Sequence, residues 1–485
     1  MEKSKLIQML KKLNSVEFLD FGKYIYSPYF NNNQKVRELY DYLSKSGPEL
    51  KGRQLAKINV WKKLYPEADY QAKTMNNLMS LMVGLLRDFM TIETLTKDKT
   101  LFKFAEMMAL YHRNNYGHFL QASTQLENIL AESEMISSTH YLMEYFIRSY
   151  SYYNVESDKK PPAGNHLIFA EESLEKFYML SKLKLICELQ IRKRIFSDRE
   201  NRAHMEVPEK PKEKYIDDHL IGIYSSLVSL QQTNDEAQLE SIQNRFFNYS
   251  SLFPKSERYV ILHALINHIS FIYQSGRPEL VKNLLKLYKM GLDEGIFIYL
   301  NKIRHSTFLN ICLACAATNE FDYAERFILA YKDCLEPKIK KETLALARAY
   351  ICFHQHEFSV SLDYLNSLGN KKQPEFDFRI RNLEIRNHFE LALKDPSVWS
   401  LVFDKLNAFE KYLNRSKTIS KQKTVGYLNF VKATKRLADI VVHKPLTAAD
   451  KIDLFKRLRA NKIIVSVHWL EKKIKEGGKP PLNGH

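Results

Sequence analysis

Residues 305–337 read HSTFLNICLACAATNEFDYAERFILAYKDCLEP, and the spacing of their apolar side chains decides the fold. Phe308, Ile311, Cys312 and Cys315 recur at helical intervals on one face, and Ala324 and Ile328 do the same on a second segment introduced by the aromatic Phe321. Pro337 closes the second segment. Two such segments expect two helices folded back on each other, with small residues where the backbones come close and large ones where a gap must be filled.

The pattern extends in both directions. Upstream, Leu265, His268, Ile269 and Ile272 lead through Gly276 to Val281 and Leu285; downstream, Ala345, Ala349 and Cys352 lead through Phe358 to Ser361 and Leu365. Equivalent positions fall at 269, 312 and 349, intervals of 43 and 37 residues. A weaker pair continues around Phe389 to Leu393 and Trp399 to Tyr412. Over roughly 260–415 this pattern resembles tetratricopeptide-like helical-repeat proteins, whose repeats carry W-x2-L-G-x2-Y, then A-x3-F, then Pro, with a standard period of about 34 residues. The resemblance implies an α-solenoid of degenerate helical hairpins, acting as a scaffold that holds a peptide or protein in a groove lined by the first helix of each pair. The Asn and Lys/Arg set by which some family members clamp a peptide carboxylate has no counterpart in these first helices, so that ligand class is not carried over. Near the amino terminus, Ser27-Pro28-Tyr29-Phe30-Asn31 and Val60-Trp61-Lys62-Lys63-Leu64-Tyr65-Pro66 are similar to strings in Bacteroidota proteins of unassigned function.

The remainder of the chain agrees with an all-α fold. Its 485 residues exceed one ordinary core, and 45% hydrophobic with 27% charged residues is normal globular usage. Glycine is scarce at 15 residues, which starves the tight turns of β-rich folds. A first helical unit is expected over 1–98, with a helix opening at Ser15 as N-cap, a stripe at Val36, Leu39, Tyr40 and Leu43 ending at Gly47-Pro48, and a long stripe of Met75, Leu78, Met79, Met82, Leu85, Leu86 and Phe89. Helical hairpins with aromatic and basic segments follow over 99–207. Tyr141, Tyr145, Phe146, Tyr150, Tyr152 and Tyr153 are read as packing between helices, with a base-stacking platform as the alternative, and Lys176 to Arg202 as a basic helix. Breaks are expected at Pro161-Pro162-Ala163-Gly164 and Val207-Pro208-Glu209-Lys210-Pro211-Lys212. The repeat array, opened by Ile216, Leu220, Ile223, Tyr224 and Leu227, occupies 215–415, and basic helices occupy 416–485.

The start of the chain lacks the apolar run of a signal peptide, no apolar stretch is long enough to span a bilayer, and five cysteines without a paired framework fit a reducing cytoplasm. Cys312-x2-Cys315 lacks the second pair of ligands that zinc requires and is read as core packing; His354-Gln355-His356 is read as loop or surface. No phosphate-cradling loop, dinucleotide fingerprint, hydrolase elbow or metalloprotease helix occurs, so neither an enzyme nor a cofactor is expected. Charge is the remaining signal: residues 411–485 hold 18 Lys and Arg against five acids, +13 of the net +17. Lys432, Lys435 and Arg436 share one expected helix, and Lys456, Arg457 and Arg459 a second that Thr447 and Asp450 cap. These six are the candidate polyanion-binding residues. Two functions stand: a non-enzymatic scaffold binding a protein or peptide partner, acidic by preference, or a nucleic-acid-associated protein docking through the basic carboxyl-terminal helices.

Overall fold

A computed structural model describes residues 1–46, 50–133, 135–153, 165–196, 214–233, 236–274, 277–369, 374–415, 421–461 and 463–477. Gly47-Pro48, both proline-bearing breaks, Gly276 and the end of the basic stretch after residue 196 lie outside these residues. The described residues form 22 α-helices and a few 3-10 turns, with no strand. None of the helices is long and apolar enough to cross a membrane among the described residues. The chain divides into two compact units, Met1–Ser133 with Ile147–His166, and Glu134–Phe146 with Leu167–His485.

The first unit contains α1 (Lys5–Leu10), α2 (Ser15–Tyr26), α3 (Gln34–Ser44), α4 (Lys57–Leu64), α5 (Ala72–Lys97), α6 (Lys99–Tyr111) and α7 (Tyr116–Glu132). The cap of α2 is Asn14 rather than the expected Ser15. The Asn14 side chain accepts from the Val16 and Glu17 amides at 2.9 Å, and Glu17 accepts from the Asn14 amide at 3.0 Å. A cap at Asn14 puts an acid at the third helical position and closes a reciprocal box, whereas a cap at Ser15 would put Phe18 there. All seven residues of the Met75–Phe89 stripe are buried, forming with α1, α2, α3 and α4 one apolar cluster. Gly22 permits the tightest approach in it, because a Cβ there would stand 2.4 Å from the Tyr40 hydroxyl.

The second unit runs from α8 (Ser138–Tyr152, shared across the division) through α9 (His166–Phe196), α10 (His219–Thr233), α11 (Glu236–Tyr249), α12 (Lys255–Gln274) and α13 (Val281–Asp293). Tyr141 is buried in its core and its hydroxyl donates to Asp218. Asp218 also caps α10, accepting from the Leu220 and Ile221 amides, so Ile216 lies before the helix and is exposed. There follow α14 (His305–Ala317), α15 (Phe321–Tyr331), α16 (Lys340–His354), α17 (Phe358–Asn366), α18 (Pro374–Ala392) and α19 (Trp399–Arg415). Each of α12 to α19 packs on the next, and α14 also packs on α16, and α16 on α18. Cys312, Cys315, Ala324, Ile328, Ala349, Ser361 and Leu365 are all buried at these contacts. The closest seam is polar: Ser361 Oγ donates to the Ala349 carbonyl at 2.8 Å and accepts from Asn387 Nδ2 at 3.0 Å, tying α16, α17 and α18.

Three helices complete the unit: α20 (Lys421–His443), α21 (Ala448–Ala460) and α22 (Val467–Glu476). The Thr447–Asp450 box caps α21 as the sequence reads. Ile463-Ile464-Val465 is neither helix nor strand; it crosses α20, where the Val465 amide donates to the Gly426 carbonyl at 3.2 Å and Asn429 Nδ2 donates to the Ile463 carbonyl at 2.9 Å.

Candidate functional site

The six cations singled out in the sequence are spread over α20 and α21 and are unequally available. Lys435 pairs with Glu410 of α19, and Arg436 and Arg457 share the Asp453 carboxylate at 3.0 and 2.9 Å. These two guanidinium groups hold the Asp453 carboxyl below its usual range, with the hydrogen bond from Arg457 the larger influence. Lys432, Lys456 and Arg459 are exposed.

The larger concentration of chemistry lies elsewhere in the second unit. Two adjoining cavities, about 640 Å³ and about 330 Å³, share Tyr273, Asn310, Leu313, Ala317, Arg379 and Val465 among their walls. Every second helix contributes to the larger one: Tyr273 from α12, Asn310 from α14, Tyr350 and His354 from α16, Arg379 and Arg386 from α18, and Lys423 and Tyr427 from α20. Val281 of α13 and Phe358 of α17 add to it, and a further wall is the chain's own carboxyl-terminal segment. Ser466 turns it with a left-handed backbone (φ 57°) and donates to Asn382 Oδ1 at 2.9 Å, and His468 Nε2 donates to the Tyr273 carbonyl. Trp469 Nε1 and Lys473 Nζ then share the Glu390 carboxylate at 2.7 and 2.8 Å. Lys473 is only 1% exposed and Glu390 only 3%, so this ion pair is a desolvated lock between α22 and α18. The Trp469 ring meets Phe389 edge-on at 5.1 Å, adding apolar area to the lock.

Helix α18 carries the polar face. Arg379, Asn382, Arg386 and Glu390 stand three or four residues apart and all line the larger cavity. Its buried carboxylates are matched, Asp377 with Arg381 and Glu384 with Lys405, and Asn387 Nδ2 donates to Ser361 while its Oδ1 takes no donor. Arg386 differs. Its guanidinium lies over the Phe353 ring at 4.2 Å, it is 7% exposed, and Nε and Nη2 have no hydrogen-bond partner. Burial lowers its affinity for its proton. Asn382, 6% exposed, likewise leaves Nδ2 unmatched after Oδ1 has taken Ser466. Burial, reinforced by Arg386 and Lys472, drives the His354 imidazole down to about 3, so it is a neutral ring at physiological pH. The same two causes in kind, burial and then Lys472, lower His356.

The sequence reading placed none of these α18 residues in a site. Their spacing is visible in RIRNLEIRNHFE, residues 379–390, but alternating charges on a helix ordinarily mark a solvated face. His354, read as loop or surface, is the half-buried last residue of α16. Burial raises the Cys312 thiol well above its ordinary range and the Cys315 thiol to about 12, which suits two packed, unreactive side chains. Among the described residues no group of three or more His, Cys, Asp or Glu is placed to hold a metal ion. No family model, curated protein or solved structure matches the chain.

Proposed function

We propose that residues 215–415 form a degenerate, tetratricopeptide-like α-solenoid whose inner helices bind a segment of a protein partner, making the protein a non-enzymatic interaction scaffold. The observation that carries this reading is the self-docked segment: residues 463–473 already lie against the side chains of α12, α18 and α20, using a backbone carbonyl, a buried carboxylate and aromatic rings to hold polypeptide. Two further features favour it. Neighbour-on-neighbour packing with α14–α16 and α16–α18 contacts is what stacked hairpins produce, and wall residues drawn mainly from every second helix, with only Val281 of α13 and Phe358 of α17 from the helices between among the described residues, are what a groove lined by first helices produces.

The nucleic-acid alternative draws less support, because three of its six cations are committed to carboxylates. A cytoplasmic setting, where a partner would be met, is part of the proposal and accords with five cysteines outside any disulfide. The test is affinity capture from the native cell with the full chain and with Leu313→Glu/Ala317→Glu, two half-buried wall positions. A stoichiometric partner retained by the wild type and lost from the variant is expected. A partner held equally by both, or measurable DNA or RNA binding with a steep salt slope and no protein partner, would replace this reading with another.

A further inference from the structure

We propose that the larger cavity is a binding site for a small organic phosphate of about nucleotide size, received by Arg386 and Asn382 of α18. The proposal goes beyond a peptide-binding scaffold and stands on side-chain positions that do not depend on that reading.

The first argument is the pair of unmatched buried donors. A guanidinium nine-tenths buried, with Nε and Nη2 unpaired, is costly unless an acceptor meets it, and the buried carboxylates of α18, Asp377, Glu384 and Glu390, are each held by another cation. Asn382 Nδ2 lies one helical turn away on the same face and also lacks an acceptor. Both groups are donors, so the missing partner is an acceptor-rich group. Hydrogen bonds to a charged acceptor are the strong ones, and an oxyanion satisfies both donors at once.

Charge decides which oxyanion. Arg379, Arg386, Lys423 and Lys472 line the cavity, Lys472 exposed and 3.8 Å from Glu476, against Glu390 as the sole carboxylate among the described lining residues. Glu390 is already committed to Lys473 and Trp469. Arg379 makes its described bond to a neutral group, Asn310 Oδ1, at 3.1 Å. A carboxylate with one charge and two oxygens would balance only one of the two arginines, whereas a phosphate brings up to two charges and three oxygens. His354 is held neutral beside the cations and adds a polar contact without a competing charge.

Size and lining decide that the phosphate is carried by an organic group. About 640 Å³ lies in the range of small-molecule sites, several times what inorganic phosphate fills. Tyr350, Phe378 and Tyr427 supply flat apolar walls suited to a ring system. Residues 465–472 form one side of the cavity, which favours a small molecule over a chain that must pass through.

The experiment is isothermal titration calorimetry of the full chain with adenosine monophosphate, adenosine triphosphate, inorganic pyrophosphate and uncharged adenosine as probes. The nucleotides should bind, pyrophosphate more weakly, and adenosine most weakly. Arg386→Gln should weaken nucleotide binding by about tenfold to a hundredfold, the worth of a hydrogen bond to a charged group. Because Arg386 is buried and its variant can fail to fold, Arg379→Gln and Lys472→Gln are measured alongside, each expected to weaken binding by at least about threefold with an unchanged melting temperature. Absence of binding by all phosphate probes would overturn the proposal and leave a water-filled cavity. Binding indifferent to Arg379→Gln and Lys472→Gln would place the anion elsewhere and overturn it too, as would adenosine binding as tightly as the nucleotides. Nucleotides bound no better than pyrophosphate would overturn the organic half of the assignment.

Discussion

The two units bury different things. In the cluster around α5 the interior is aliphatic and aromatic, and Asn31 is the lone buried polar residue among α1–α5, its amide donating to the Ile25 carbonyl. In α18 alone, Asp377, Asn382, Glu384, Arg386, Asn387 and Glu390 are buried. Taking charge out of water costs several kcal/mol per ion before pairing, so such density is not how a helix is best stabilised. The contrast teaches that the cluster around α5 coheres through apolar contact, while α18 tolerates an expensive interior because it holds the tail segment and faces the cavity.

The sharpest way to break that contrast is to remove one half of the buried lock. Lys473→Met should destabilise the second unit by about 3–5 kcal/mol by stranding the Glu390 carboxylate, and Glu390→Gln/Lys473→Met should recover part of that loss. Urea unfolding of the two variants measures it; equal stability of the single and double variants would mean that the charges do not act as a pair. In the first unit, Leu86→Ala should cost about 2–5 kcal/mol through the cavity it leaves, with nucleotide binding untouched. Unfolding followed separately for each unit checks this.

Acid should separate the units next. His354 has a folded pKa of about 3 against an ordinary 6.5, so the unfolded chain binds a proton the folded chain refuses. Its contribution is therefore intact above pH 6.5 and is lost progressively as pH falls from there towards 3. At pH 5.5 the loss is about 1 kcal/mol for this group. Denaturation at pH 7.5 and 5.5 should show wild type losing more than His354→Asn, with His263, His388 and His468, all lowered first by burial, adding to the background slope. The smallest effects are expected at the caps: Asn14→Ala and Thr447→Ala should each cost about 1 kcal/mol, seen in melts of the respective unit.

What could be read from the sequence follows the same division. The Met75–Phe89 stripe and the Thr447–Asp450 box were legible because period and capping are local properties, decided within a few residues. The burial of positions 312, 324 and 349 was legible for the same reason. The cavity was not, because it depends on residues 466–473 returning to α18 across some eighty positions, a pairing that no local period encodes. Lys473 in a charged tail reads as solvated until Glu390 is placed beside it, and Arg386 reads as one more cation on a mixed face. Of the basic carboxyl-terminal block, the sequence could count charge and place Arg457 one turn from Asp453, but could not say that Lys435 meets Glu410 or that Arg436 reaches Asp453 in the fold.

All five cysteines, Cys187, Cys312, Cys315, Cys334 and Cys352, belong to the second unit and all are buried. A thiol reagent therefore meets nothing to modify in the first unit, and in the second it must wait for the helices to part. The rate of alkylation becomes an internal clock for breathing of the array, free of any signal from the rest of the chain, and occupancy of the cavity should slow it without a label having been introduced.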